Sequence, residues 1–477
     1  MKGGIVLSLM CAVILVSGIL AVAPPGTDGP GKQVLSRQPA SGAAAVCVDT
    51  HLTLTFDQQP ALGTAGTIRI YDAMDDKLVD TIDVGAPLNP QGYVFGGTPL
   101  QAYPVLVTEK NATIYPHSGK LAYGRKYYVQ IDAGVLNVGG MPYAGISGKT
   151  EWSFSTKPSA PPADAERITV AADGTGDFAT VQGAIDFVPE KNIRPRTILL
   201  RKGVYTEIVR FVEKDHVTFL GEDREQTVVV YATNEKFQPN LVDPQVAAGG
   251  SYRRGVFIGL NSSDVTLSNF TIHNTTTKGG SQAEAIIFKE VRGQTGENRS
   301  RTILTHMNLR SFQDTLQITG KAYLEDVYIE GDTDFMWGDG PCYFLRCTLK
   351  TLNNRTSFTQ TRNPASHRGF VFVECVFDGA AGVTTATLGN GSGTSEVALI
   401  DCRLGKMLAP QGWNSRGASI LEFHTTNLAD GAPYDTSGWP DWVKRLSAEK
   451  DAELIAHYRD PAWVLDGWKP AAATKIR

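Results

Sequence analysis

Two aspartates, Asp314 and Asp334, stand 20 residues apart at the same place in a repeating pattern. The pattern is a seven-residue strand-like phrase, Thr266-Leu267-Ser268-Asn269-Phe270-Thr271-Ile272, which returns as Ile303–Leu309, Tyr323–Ile329, Tyr343–Leu349, Val371–Phe377 and Ala398–Leu404. Its fifth positions (Phe270, Met307, Val327, Cys347, Cys375, Cys402) are separated by 37, 20, 20, 28 and 27 residues. Asp314 lies seven residues past Met307 and Asp334 seven past Val327. Repeats stacked at strand spacing bring the two backbones within roughly 4.8 Å. Two unit charges about 5 Å apart at an effective dielectric near 20 repel by roughly 3 kcal/mol. One carboxyl then holds its proton near neutrality while the other ionises, so one can donate while the other attacks or accepts.

The neighbouring residue types narrow that chemistry. Gln313 precedes Asp314, Phe335 and Trp337 flank Asp334, and Gln282 belongs to the preceding repeat. Adjacent carboxylates alone would suit a Ca²⁺ site, or a ladder capping loops on a solvated rim. Amide donors beside the acids, with aromatic walls, suit an ester carbonyl better than a cation. Neither a metal nor a cofactor is expected. The sequence contains no Gly-x-Ser-x-Gly elbow and no Cys-x-x-Cys spacing, which argues against a serine hydrolase and a zinc site. His273 and His306 flank repeat strands and read as structural.

The elements that must hold the pair follow from the same repeat. One short strand every 20–30 residues, apolar at positions two, five and seven, is the signature of a solenoid. Without helical periodicity between strands, the form is an all-β, right-handed parallel β-helix, placed at residues 166–477. Phe178–Val188 carries apolar residues at helical spacing and is expected to cap the first coil. Leu446–Tyr458 is expected to cover the far end. Cys347, Cys375 and Cys402 share the fifth position and should stack as a buried thiol column. Upstream, residues 34–156 show alternating strands such as Leu52–Phe56, Thr67–Tyr71, Tyr127–Ile131 and Trp152–Phe154, consistent with a β-sandwich. Residues 157–165 form a Pro-rich linker.

Composition sets the compartment and the partners. The apolar run Ile5–Ala23 after Lys2 reads as a signal peptide over residues 1–23, placing the protein in a secreted, periplasmic or cell-envelope setting. An uncleaved anchor is the alternative. Net charge −4 and a pI of about 6.1, with no long run of like charge, argue against a nucleic-acid partner. A monomer is expected.

Six phrases in order resemble the pectin methylesterases: Asp173-Gly174-Thr175-Gly176-Asp177-Phe178, Gly203-Val204-Tyr205-Thr206-Glu207, Gln282-Ala283-Glu284-Ala285, Phe312-Gln313-Asp314-Thr315-Leu316, Asp334-Phe335-Met336-Trp337-Gly338, and Pro410-Gln411-Gly412-Trp413 with the late Asp466-Gly467-Trp468. The upstream domain resembles bacterial Ig-like domains. The first resemblance implies Asp334 as nucleophile, Asp314 as acid then base, and Gln282 and Gln313 as donors to the oxyanion. It implies methylated pectin as the polysaccharide substrate, and it places Phe335, Trp337, Arg362 and Asn390 at the substrate groove. One phrase departs from the family. Its usual Leu-Gly-Arg-Pro-Trp reads Leu388-Gly389-Asn390-Gly391-Ser392-Gly393 here, so the guanidinium that braces the nucleophile is missing. Arg362 is 15 residues past Cys347, as Asn390 is 15 past Cys375, and so about one coil away; it is either the replacement or an ordinary surface arginine near a turn. Alternative readings are an esterase or thioesterase acting on another ester, and a catalytically weakened glycan-binding envelope protein.

Overall fold

The computed structural model describes residues 34–86, 88, 92–238, 252–290, 300–390, 394–414 and 419–471. The signal-peptide reading and the residues after Asn390 in the altered phrase lie outside these. Residues from Val34 to Thr156 form a sandwich of a four-stranded and a five-stranded sheet, with a small third sheet at one edge. Its core includes Leu52, Leu54, Phe56, Ile68, Trp152 and Phe154, the inward members of the alternating strands.

From Arg167 onward the chain winds into a parallel β-helix whose walls, among the described residues, hold eleven, nine and seven strands. The stacking follows the sequence repeat. Thr266 pairs with Ile303, Ile303 with Tyr323, Tyr323 with Tyr343, Tyr343 with Val371, and Val371 with Ala398. The phrase itself proves to be two strands bent at a corner, not one. Its fourth residue, Asn269, His306, Asp326, Arg346, Glu374 or Asp401, has φ between 51° and 64°. In an unbroken strand, positions two and five face opposite sides. The left-handed corner reverses the pleat, so positions two, five and seven all enter the core. Cys347, Cys375 and Cys402 stack there as free, buried thiols. Each donates to a carbonyl of the preceding coil, that of Leu324, Phe344 and Phe372 respectively.

Helix α1 (Val181–Phe187) caps the first coil and buries Val181, Ala184 and Ile185. Its N-cap is Thr180, whose hydroxyl accepts from Gly183 N. The C-terminal expectation needs correcting. Helices α2 (Ala452–Arg459) and α3 (Pro461–Val464) lie along the flank of the eleven-stranded wall, not over its end. Ile455, Tyr458, Val464 and Leu465 pack on Tyr323, Tyr343, Val371, Val373, Ala398 and Ile400. These belong to positions one and three of the phrase, which are apolar on the outside of the later coils and need covering.

The sandwich docks on the first coils of the β-helix. The Asp49 carboxylate accepts from Ala179 N, Thr180 N and the Thr180 hydroxyl at the head of α1. Arg210, wholly buried, donates to the carbonyls of Phe95 and Gly96. Gln101 and Gln238 exchange two hydrogen bonds, and Leu100 belongs to the β-helix core.

Candidate active site

The site lies on the seven-stranded wall. Its strands are β1 (Val209–Val212), β2 (Phe257–Leu260), β3 (Ile286–Lys289), β4 (Leu316–Ile318), β5 (Met336–Gly338), β6 (Thr356–Thr361) and β7 (Ala386–Asn390). Ile286, Leu316 and Met336 pair in register across β3, β4 and β5. Two residues before each stand Glu284, Asp314 and Asp334. The Gln313–Thr333 bridge and the Asp314 N to Thr333 O hydrogen bond carry that register beyond the strands. Asp314 and Asp334 are therefore side by side, as the repeat requires, and both have left-handed backbones, with φ of 59° and 43°. The column has a third rung, Glu284, that the residue spacing did not single out.

The third rung explains the charge balance. Glu284 is 0% exposed, and Arg254, on the segment entering β2, grips it with Nε at 2.9 Å from both oxygens. The same guanidinium reaches Asp314 Oδ2 at 3.1 Å and Glu235 Oε2 at 2.8 Å. Burial pushes the Asp314 carboxyl up to about 6. Arg254 pulls it down, Asp334 pushes it up, and Arg362 and the Gln313 side-chain hydrogen bond pull it down. An acid of that strength can both give and take a proton near neutrality.

The indole of Trp337 faces outward from β5, with the guanidinium carbons of Arg254 and Arg362 at 5.9 and 5.0 Å from the ring centroid. Its N–H has no acceptor among the described residues. Trp337 shares a row with Gln317, Gln360 and Asn390 through β4, β5, β6 and β7. Arg362 donates to Gln360 and acts electrostatically on Asp314, so it lies near the acid pair. Asn390 closes β7, and its side chain lies outside the described residues. Gln282 accepts from the Ser281 hydroxyl at 2.8 Å through Oε1, which leaves its NH₂ as the donating end. Gln313 also lines an adjoining cavity of about 290 Å³ with Lys278, Phe312, Asp332, Thr333 and Asn353. Phe335 is a correction. It is 0% exposed and packs on Phe358 inside the coil, because the left-handed turn at Asp334 sends the next side chain inward. It supports the turn at Asp334 and cannot line a groove.

Known proteins share this arrangement of coils. The pectinesterase family model matches residues 167–429, more than half of the chain. The chain belongs to the pectinesterase family. A bacterial Ig-like domain model matches residues 28–156 of this pectinesterase. Pectinesterase 31 of Arabidopsis thaliana is 28% identical over 306 residues, covering 62% of this chain and 92% of the relative. Putative pectinesterase 11 of the same plant is 27% identical over 300 residues, covering 61% and 77%. Among solved structures, the pectin methylesterase from carrot superposes with a TM-score of 0.51 at 18% identity, covering 65% of this chain and 95% of that one. Pectin methylesterase PemA from Erwinia chrysanthemi gives 0.51 at 18%, covering 66% and 100%. At such identity the structures speak for the fold, while the family match makes this pectinesterase a carboxylic ester hydrolase.

Proposed function

We propose that this pectinesterase is an exported enzyme that hydrolyses the methyl esters of pectin through an acyl-enzyme on Asp334. The observation that carries the reading is the in-register pair Asp314–Asp334, with Arg254 balancing the acid. Asp334 attacks the ester carbonyl, and the tetrahedral oxyanion meets the amide donors of Gln282 and Gln313. Collapse breaks the bond to methoxide, which takes the Asp314 proton and leaves as methanol. Asp314, now ionised, accepts a proton from water, and the hydroxide adds to the acyl carbonyl. Collapse of this second tetrahedral intermediate breaks the bond to Asp334, which is restored as a carboxylate. The product acid gives its proton to solvent and leaves, with Asp314 again protonated. A methylated polygalacturonate chain would lie over the outward row of β4–β7, with Trp337 as a stacking platform. A glycan-bound structure supports a polysaccharide ligand, since one superposable pectin methylesterase was solved in complex with a hexasaccharide. Export rests on the signal-like segment at residues 1–23.

The deciding experiment measures methanol released from methylated pectin by Asp334→Asn and Asp314→Asn. Each should lose more than about 10³-fold in kcat with an unchanged circular dichroism spectrum. Near-native turnover in either folded variant would sink the acyl-enzyme reading. The departure at Asn390 favours one second reading, a different acyl group on the glycan. Turnover of an acetylated glycan with none on methylated pectin would establish it.

A further inference from the structure

The family's guanidinium is absent from Leu388–Gly393, yet the site is not short of cations. We propose that Arg254 is a positioning residue for the acid–base carboxyl: clamped between Glu284 and Glu235, its guanidinium holds Asp314 Oδ2 and sets the pH at which that carboxyl releases its proton. The inference rests on Asp314 being the proton donor.

Three observations carry it. The first is orientation. Arg254 commits Nε and Nη2 to Glu284 and Nη1 to Glu235, so its plane is held from two sides before it meets Asp314 at 3.1 Å through Nη2. A flexible surface arginine would have no such constraint. The second is burial. Arg254 is 11% exposed, Glu284 0% and Asp314 13%, so the three groups act on one another with little screening by water; burial pushes the Glu284 carboxyl up to about 8 while Arg254 pulls it down. A buried carboxylate set in an apolar stretch (Ala283, Ala285, Ile286) needs such a partner, and an unpaired one would be strongly unfavourable. The third is the distribution of charge around Asp314. Glu284 and Arg254 face it from the preceding coils, Asp334 and Arg362 from the following ones, and Gln313 is its neutral neighbour. Arg254 is the strongest of the cationic influences in that set. Its effect is on the acid, whereas the guanidinium of the family phrase braces the nucleophile. The compensation therefore changes which half of the dyad a cation stabilises.

The pH dependence of kcat/KM on methylated pectin, measured with the full chain, tests this. The alkaline limb reports loss of the Asp314 proton in the free enzyme. Arg254→Gln removes a cation that favours the ionised carboxyl, so the limb should move to higher pH by about one unit or more. Arg254→Lys keeps the charge without the fork and should return the limb part of the way. Arg254→Gln/Glu284→Gln leaves no buried carboxyl without its partner, and with the Arg254 cation gone its limb should also lie above that of the native enzyme. Glu284→Gln alone keeps the Arg254 charge facing Asp314, and the limb should not rise. If the limbs of Arg254→Gln and of the double variant coincide with the native one while Asp314→Asn is inactive, Arg254 is merely structural and the proposal is overturned. If Asp314→Asn is folded and active, the acid–base reading fails first and the proposal falls with it.

Discussion

At the head of the β-helix, Glu207 sets its two carboxyl oxygens on Val181 N and Gln182 N at 2.8 and 2.9 Å, while Asp314, several coils on, meets a guanidinium and a side-chain amide. Burial pushes both groups up, Glu207 to about 8 and Asp314 to about 6. Their partners separate their roles. Backbone amides at the start of a helix are neutral and immovable, so Glu207 acts as a cap and ties its coil to α1. Asp314 faces an ionisable twin on the next coil and a cation whose grip depends on a further carboxyl. A cavity of about 250 Å³ borders Glu207 and Asp49 between the domains, yet both groups direct their oxygens to the protein. Burial perturbs an acid in either place, and only the mutually dependent charges around Asp314 suit it to the proton transfer proposed above.

Four sets of variants probe that contrast. The largest effect should come from Gln282→Ala and Gln313→Ala, each lowering kcat about 10²–10³-fold if the amide serves the oxyanion. A change confined to KM would reduce them to substrate holders. Glu207→Gln should leave kcat intact and lower unfolding stability by about 1–3 kcal/mol, because one α1 amide loses its acceptor, as urea denaturation would report. The sign with pH is also determined. Glu207, Asp186 and Asp49 all have raised values in the folded state, so their contribution is full at acid pH. It is lost as pH rises toward about 8, the folded value of Glu207. The native Tm should therefore fall over that range, and Glu207→Gln should flatten the fall.

Removing the sandwich, so that the protein begins at Ala165, should lower Tm by several degrees and preserve kcat on soluble pectin. The loss follows from Asp49 leaving Thr180 and from Arg210 losing the Phe95 and Gly96 carbonyls. A fall in kcat in the folded truncated protein would show that the docked sandwich shapes the site. The smallest effect is expected at Asn390. Asn390→Arg should move the acid limb of the pH–rate profile slightly downward, since an added cation favours ionised Asp334. If that change is inert and Arg362→Ala moves the limb upward, Arg362 already supplies the charge.

Much of this was legible along the chain. The seven-residue phrase set the coil register, and with it the adjacency of Asp314 and Asp334, because stacked coils convert equal offsets into neighbours. The corner at the fourth position was equally available, since apolar positions two and five cannot share one face of an unbroken strand. Asn269, Asp326 and Asp401 are residue types that tolerate the left-handed turn. Glu284 carried a signal as well, a charge inside an otherwise apolar run that demanded a buried partner.

Spacing along the chain was enough for the repeat, the dyad, the thiol column and the two-domain order, because each depends on offsets within or between neighbouring coils. The partner that Glu284 takes was settled only when distant segments packed together. Arg254 is 30 residues before Glu284 and 60 before Asp314, on a coil whose expanded length hides its register. The inward turn of Phe335, the flank position of α2 and α3, and the docking of Asp49 on α1 were settled in the same way. In each case burial is shared between distant segments, and a pattern read one residue at a time carries no information about which of them will meet.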